Sequence, residues 1–498
     1  MDQFGNRQYD WKIIKRYFWI MVATILLWMV TKGVGAVVVT AFVIMAVLRD
    51  KPIELMFWVI YMTFSSSGNR SIFVTNVTSL LIVRGTLLLL TLMLAARLFR
   101  GGREAKLITP FWGIMFYLLW ECVVSANGFQ PVVSYMKLFL FFNVFLAMFG
   151  VANTVNSSTR ANAKILRSML LSVFAFILIG SVLLIPFPGI GMMSDKADIE
   201  RMLAGEVTSL FMGMTSHSQN LGTIAALIAV FLFGDMAFSI KRWDRFYLLL
   251  LLCCPVLVYK SSCRTGMGAM IAGLGVVMFF VIKARGMGKR WKGKLMMAVN
   301  LIIVIGMVGV VALPAFRNKV GKFVLKYNMS EGAKVTMEEV LSTRQAKLDG
   351  AMENFKKKPW TGNGFQVSEE MQYQKRDSIM DYISAPVEKS TWTYAILEEG
   401  GIIGMVLFCC WLIVLFCLLI QRHAYIGASV FFAFIVVNLG EFSIFSMSHT
   451  GGLYWTLVFA AICLDVQRMK SSNMPVFFVP IEEVFEEVGY DAWTRRQG

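Results

Sequence analysis

Residues 260–266 read "KSSCRTG", a short polar turn between the apolar runs "FYLLLLLCCPVLVY" and "MGAMIAGLGVVMFFVI". Lys260 and Arg264 are its two basic residues. Arginine presents a rigid fork of N–H donors that grips phosphate through two bonds and stays charged at physiological pH. Arg201, Arg344 and Lys389 are further cations in or beside loops, and His217, Gln219, Asn220, Glu388 and His449 add hydrogen-bonding and titratable groups. Arginines converging on one point neutralise a departing diphosphate without a metal. A carboxylate or imidazole beside them takes the proton from an attacking hydroxyl. Residues of these types suit a strongly anionic ligand tethered to a membrane.

Each residue also has a plainer role open to it. Arg201 lies in "DKADIERM", where neighbouring acids can pair with it. His217, in "GMTSHSQNLG", can serve as a hydrogen-bonding residue at a helix start. Lys260 can snorkel to the membrane interface. Glu388 can be solvated, and Cys263 reads as a packed thiol rather than a nucleophile.

The elements that must position these groups are membrane-spanning helices. The 498 residues are 57% hydrophobic and 16% charged, whereas a soluble chain carries about 25% charged residues. Apolar runs recur near 17–31, 33–48, 53–65, 77–97, 111–126, 132–152, 165–186, 218–238, 246–259, 266–283, 295–313, 401–420, 424–445 and 452–466. This pattern predicts an all-α polytopic membrane protein with about 12–14 transmembrane helices. The net charge of +17 comes from basic residues in short loops, which excludes a nucleic-acid surface and points to topology and anionic lipid. Most of the eight cysteines lie inside apolar runs, and neither they nor the three histidines have metal-site spacing. No cofactor motif is present. The first apolar run, "YFWIMVATILLWMVT", reads as a retained span rather than a cleaved signal.

Alternate loops are basic: Lys12, Lys15 and Arg16; Arg49 and Lys51; Arg97 to Lys106; Arg160 to Arg167; Lys241 to Arg245; "KARGMGKRWKGK"; Arg422; Arg468 and Lys470. The positive-inside bias assigns these, and both termini, to the cytoplasm. The other set faces outward: "SSSGN", "SANGFQP", 187–217, "KSSCRTG", the long loop 314–400 and "SMSHTGG". Lys260 and Arg264 thus run against the orientation bias, so they are not topology signals. The chain divides into an N-terminal bundle (1–313), one large outer loop (314–400), C-terminal spans (401–470) and a cytoplasmic tail (471–498). In the loop, Leu348, Ala351, Met352 and Phe355 follow amphipathic-helix spacing; Ser342 can cap the helix and Pro359 follows its end. Arg344, four residues before Leu348, falls on the apolar face and needs a partner, an anion being one. The acidic tail, "IEEVFEEV", suits docking to a partner protein.

Four ordered stretches resemble the O-antigen ligase and Wzy-type polymerase superfamily, bacterial inner-membrane glycosyltransferases of the GT-C class. They are "RMLAGEVTSLFMGMTSHSQNLGTIAAL", "KSSCRTGMGAMIAGL", "STRQAKLDGAMENFKKKPWTGNGF" and "EKSTWTYAILEEGGIIGMVLF". The resemblance implies a periplasmic face for the long loop and glycans carried on undecaprenyl diphosphate as substrates. It implies that Arg201 and Arg264 hold the diphosphate and that Arg344 orders the loop or binds glycan or phosphate. Glu388 becomes the candidate base, with His217, Asn220, Lys260 and Lys389 as binding residues. Trp360 and Trp392 either stack on sugars or anchor the structure. A flippase or chain-length regulator is the expected partner for the tail. Where ligases carry a histidine at the start of the last stretch, this chain reads "PVEKSTW". That departure favours polymerisation of repeat units over transfer to a lipid A core. A transporter or a scaffold subunit are the rival classes; neither requires an outer arginine cluster, and no internal repeat of the transporter kind is visible.

Cysteine labelling tests the topology. In a background without native cysteines, Gly350→Cys and Ser262→Cys should react from outside and Gly288→Cys only from the cytoplasm. Labelling of position 262 only from the cytoplasm would dissolve the proposed site.

Overall fold

The computed structural model describes residues 9–31, 34–49, 51–73, 85, 113–158, 161–192, 211–240, 244–284, 348–368, 391–446 and 450–471. Among these, helix is the only extended regular structure, with two isolated β-bridges, Gly68 to Thr215 and Met192 to Phe211. The principal helices are α1 (Trp11–Thr31), α2 (Val34–Arg49), α3 (Pro52–Ser66), α4 (Ile114–Ser125), α5 (Pro131–Ser157), α6 (Ala163–Leu183) and α7 (Ser218–Asp235). Then follow α8 (Arg245–Lys260), α9 (Arg264–Ala284), α10 (348–357), α11 (Trp392–Gln421), α12 (Tyr425–Asn438) and α13 (Thr450–Ser471). A helix occupies every predicted span within the described residues; 77–97 (Gly85 apart) and 295–313 lie outside them. Six of the helices are long and apolar enough to cross a membrane. The chain is an all-α polytopic membrane protein.

Local chemistry sets the helix starts. Without water in the bilayer, backbone groups at helix ends must find partners within the chain. Asn162 Oδ1 accepts from the Ile165 amide at 2.8 Å to open α6, and Asp244 Oδ1 accepts from the Phe246 amide at 2.9 Å to open α8. Prolines stand in the first turn of α3 and α5, where no amide is needed.

Two helices form the centre. α7 is wrapped by α8, α9, α12 and α13, and α13 by α3, α5, α6, α7 and α12. Along α7 the side chains from Leu221 to Leu232 are all buried, so no single apolar stripe is visible: an all-round apolar helix is one enclosed by its neighbours.

The loops gather at two ends. At one end, Tyr9 donates to Asp244 at 3.1 Å, the Asp10 amide to Ser168 at 2.7 Å, and Arg468 to the His423 carbonyl at 3.1 Å. At the other, Ser216 N–H reaches the Ser67 carbonyl, Phe129 N–H the Asn363 carbonyl, and Lys358 Nζ the Asn127 carbonyl. The first end collects loops of the basic set, the second loops of the motif set.

The first end has a buried clamp. Arg167 of α6 donates from Nε and Nη2 to the two oxygens of Asp235 at 2.7 and 2.9 Å, and Tyr247 of α8 adds a third bond at 2.6 Å. Both charged side chains are almost wholly excluded from solvent. The clamp pins the last residue of α7, just before a π-helical turn at Met236–Ile240, to α6 and α8. Removing one partner of such a pair strands the other charge, which costs about 3–5 kcal/mol. Asp235→Ala should therefore lower the melting temperature in detergent sharply. Tyr247→Phe, which loses one hydrogen bond of about 1 kcal/mol, should lower it modestly; equal melting of both variants would disprove the clamp.

Candidate functional site

The turn "KSSCRTG" joins α8 to α9. Its reversal needs a left-handed residue, and Ser262 supplies it with φ +51. Lys260 ends α8 exposed, Cys263 is buried, and Arg264 opens α9 half-buried. What seats the turn is a backbone contact with the start of α7. A Cβ on Gly222 would collide with Cys263 and stand 2.6 Å from Ser261 Oγ; one on Gly266 would stand 2.7 Å from the Gly222 carbonyl. Cys263 Sγ lies 3.5 Å from the Gln219 carbonyl oxygen and accepts from the Gly266 amide at 3.2 Å. The thiol is a packed part of the turn.

The start of α7 carries the second group of candidates. His217 is the N-cap, its Nδ1 accepting from the Gln219 amide at 3.2 Å. Asn220 Nδ2 donates to Ser216 Oγ at 3.3 Å, and Thr215 Oγ1 to the His217 carbonyl at 2.9 Å. Thr223, one turn on, bonds Tyr454 of α13. Residues 217–223 and 260–266 thus pack against each other at the end of the bundle that holds the motif loops, with Ser218, Thr223, Ser261 and Cys263 buried, His217, Gln219, Asn220 and Arg264 half-buried and Lys260 exposed.

The third group comes from the long loop. In "PWTGNGF", Gly362 (φ +79) and Gly401 (φ +66) adopt the left-handed backbone. A Cβ on Gly362 would meet the Glu399 carbonyl, so the loop lies directly on the α11 backbone. Asn363 and Gly364 amides donate to the Glu399 carbonyl, each at 3.0 Å, and the Ile402 amide to the Pro359 carbonyl at 2.9 Å. These bonds replace the helical ladder that α11 loses at Gly401, where its dihedrals are non-helical. Asn354 of α10 faces inward, donating to Glu398 Oε1 at 2.9 Å and accepting from Asn363 Nδ2 at 2.9 Å. The expected apolar face of α10 is present in Ala351, buried, with Leu348, Met352 and Phe355 half-buried, but Asn354 is buried beside them.

A ring cluster joins this loop to the rest. Phe445, between α12 and α13, has its centroid 5.2 Å from Phe365, 5.1 Å from Phe141, 5.4 Å from Tyr117 and 5.7 Å from Phe408. The same connection touches the arginine turn, since a Cβ on Gly440 would lie 2.8 Å from Thr265 Cγ2. The loop after α12 therefore bridges "KSSCRTG" and "PWTGNGF".

Of the remaining candidates, Trp360 is 64% exposed, while the half-buried Trp392 packs on Phe408 with centroids 5.7 Å apart. Arg201, Arg344, Glu388, Lys389 and His449 lie outside the described residues. Sequence reading missed Gly222, Thr265, Asn354, Glu398 and Phe445. The signal available for Gly222 and Gly266 was a small residue within the first turns of each of two spans, the usual device for close helix approach.

With this arrangement in view, the family comparison is specific. Residues 246–409 match the family described as O-antigen ligase. That O-antigen ligase segment runs from α8 into α11, so it includes the arginine turn, "PWTGNGF" and the loop–α11 junction, three of the four stretches singled out above. No curated protein matches the chain.

The Gly222 contact makes a sharp prediction. Gly222→Ala overpacks the junction at a cost of about 1–3 kcal/mol and displaces Arg264. Gly268→Ala, four residues into α9 where an added Cβ meets nothing within 4 Å, should melt at or above wild type. Equal thermal stability of the two variants in detergent would refute the seating.

Proposed function

We propose that this protein is a membrane glycosyltransferase that polymerises oligosaccharide units carried on undecaprenyl diphosphate at the periplasmic face of the inner membrane. The observation that carries the reading is the seating of Arg264 on the start of α7, bridged by the loop after α12 to the long-loop segment of the O-antigen ligase match. An exposed Lys260 and a half-buried Arg264 at one end of an apolar bundle suit a ligand whose lipid lies in the bilayer and whose diphosphate lies at its edge.

In the reaction, the growing chain on its diphosphate is the donor, and a sugar hydroxyl of an incoming lipid-linked unit is the acceptor. The hydroxyl oxygen attacks the anomeric carbon, the glycosidic C–O bond to phosphate breaks, and the diphosphate leaves with the electron pair. Single displacement inverts the anomeric centre. Arg264 and Arg201 hold the diphosphate as its charge grows, and Glu388 removes the hydroxyl proton. Arg344, Lys389, Lys260, Asn220 and His217 bind the substrate, without a metal. The acidic tail docks a flippase or chain-length regulator.

A second reading is favoured by the description of the matching family: a ligase that moves the finished glycan to a different acceptor. Its weakness is the sequence "PVEKSTW", which lacks the histidine of that stretch in ligases.

The decisive experiment gives the purified protein in lipid a lipid-linked oligosaccharide, with and without a lipid A core acceptor. Longer chains without the core indicate a polymerase, product on the core a ligase, and neither refutes the enzyme in favour of a transporter or scaffold. Arg264→Ala should slow elongation about a hundredfold, or roughly 3 kcal/mol. Arg264→Lys should rescue in part because it keeps charge but loses the fork. Glu388→Gln should abolish turnover while substrate still binds, and the wild-type rate should hold in EDTA. Near-normal elongation by Arg264→Ala would reduce the turn to an interfacial anchor.

A further inference from the structure

The start of α7 is held by a part of the chain that the family match, at 246–409, does not reach. Asn69 ends the turn "SSSGN" after α3 and is wholly buried. Its Nδ2 donates to two carbonyls at once, Ile190 at 2.7 Å and Gly213 at 2.8 Å. Its main-chain amide donates to the Met214 carbonyl at 3.0 Å. Beside it the Gly191 carbonyl accepts from the amides of Met212 and Gly213 at 2.8 and 3.1 Å, next to the Met192–Phe211 bridge. Three separate stretches, 67–69, 190–192 and 211–216, therefore cross at one side chain. Buried backbone outside a helix must find partners within the protein. A carboxamide carries two N–H donors on one nitrogen and can meet two carbonyls where a hydroxyl meets one.

The crossing leads to the arginine turn. Gly213 has φ +52, and a Cβ there would stand 2.7 Å from Ser181 Oγ, so the chain passes this point only as glycine. Ser216 N–H then bonds the Ser67 carbonyl at 2.9 Å, and Thr215 Oγ1 bonds the His217 carbonyl at 2.9 Å. His217 caps α7, and Gly222, within its first turns, takes the turn 261–266 against its backbone. The far end of α7 is pinned separately by Arg167 and Asp235. We infer that Asn69 is a positioning residue for Arg264: by joining Ile190 to Gly213 it fixes where α7 begins, and with it the backbone on which the arginine turn sits. It acts on the reaction only through α7. The kinetic half of the inference rests on the proposed transfer from a diphosphate; the geometric half does not.

Two variants test it. Asn69→Asp keeps the shape but sets a carboxylate oxygen against two carbonyls, and Asn69→Ser keeps a single donor. Hydrogen exchange in nanodiscs should quicken at amides 212–222 in Asn69→Ser and stay unchanged at 226–232, toward the clamp; Asn69→Asp should quicken the same amides further. Unchanged exchange at 212–222 in both variants would overturn the inference whatever the enzyme does. Faster exchange along the whole of α7 in Asn69→Ser would overturn it too, by making Asn69 a residue of the general fold. The kcat/KM for elongation by Asn69→Ser should fall roughly tenfold to a hundredfold, as for a misplaced group at a reacting centre. In an Arg264→Lys background the same substitution should cost little more, because the fork it positions is already gone. A full additive loss there would mean that Asn69 acts independently of Arg264, which refutes the positioning role. If wild-type protein elongates nothing, the functional reading fails instead, and the exchange pattern alone decides the geometry.

Discussion

The contact between the α7 backbone at Gly222 and the turn 261–266 is the constraint on which the rest of the site depends. Two helices in lipid have no hydrophobic gain to draw them together, because the tails around them are as apolar as their side chains. Close approach then relies on small residues and polar contacts, and this junction has both: two facing glycines and a thiol between a carbonyl and an amide. Arg264 follows the thiol directly, so its position is set by packing beneath it rather than by a long loop. The Arg167–Asp235 clamp at the other end of α7 completes the restraint, since a helix held at both ends has no freedom to slide.

The long loop is placed by a different means. Its amides bond carbonyls of α11, and its apolar plug, Phe365, enters a ring cluster centred on Phe445. The break at Gly401 makes this possible, since a continuous helix would have no carbonyls to offer there. One connection, residues 439–446, touches both the cluster and Thr265. The arginine turn and the loop motif, some hundred residues apart in the chain, are thereby fixed by a segment that belongs to neither.

The helices were legible in the sequence because span length and apolar content are dictated by the bilayer, and the described helices fall where the apolar runs do. Arg264 stood out in the sequence because it opens an apolar run in a loop of the less basic set. The packing that positions it did not. A glycine in an apolar run carries no sign of what lies opposite it, and Phe445 is one phenylalanine among 40. Asn354 was not singled out from its polarity, yet it is buried, its side-chain amide donating to Glu398 and its main-chain carbonyl accepting from Asn363. Periodicity sees the cost of burying an amide but not a partner that arrives from a distant part of the chain. His217 was recognised by type, whereas its place as the cap of α7 depended on whether a backbone amide met its ring.

The long loop is attached chiefly through its main chain. Asn363, Gly364 and Ile402 contribute amides, and Pro359 and Glu399 contribute carbonyls, while the side chains nearest solvent, such as Trp360, take no part in those bonds. A scaffold fastened this way separates where a segment lies from what it displays. Glycines at 362 and 401 must stay for the mooring to form, but the residues on the open side are free to drift without loosening it. The displayed surface can thus change in sequence while the framework beneath it stays intact.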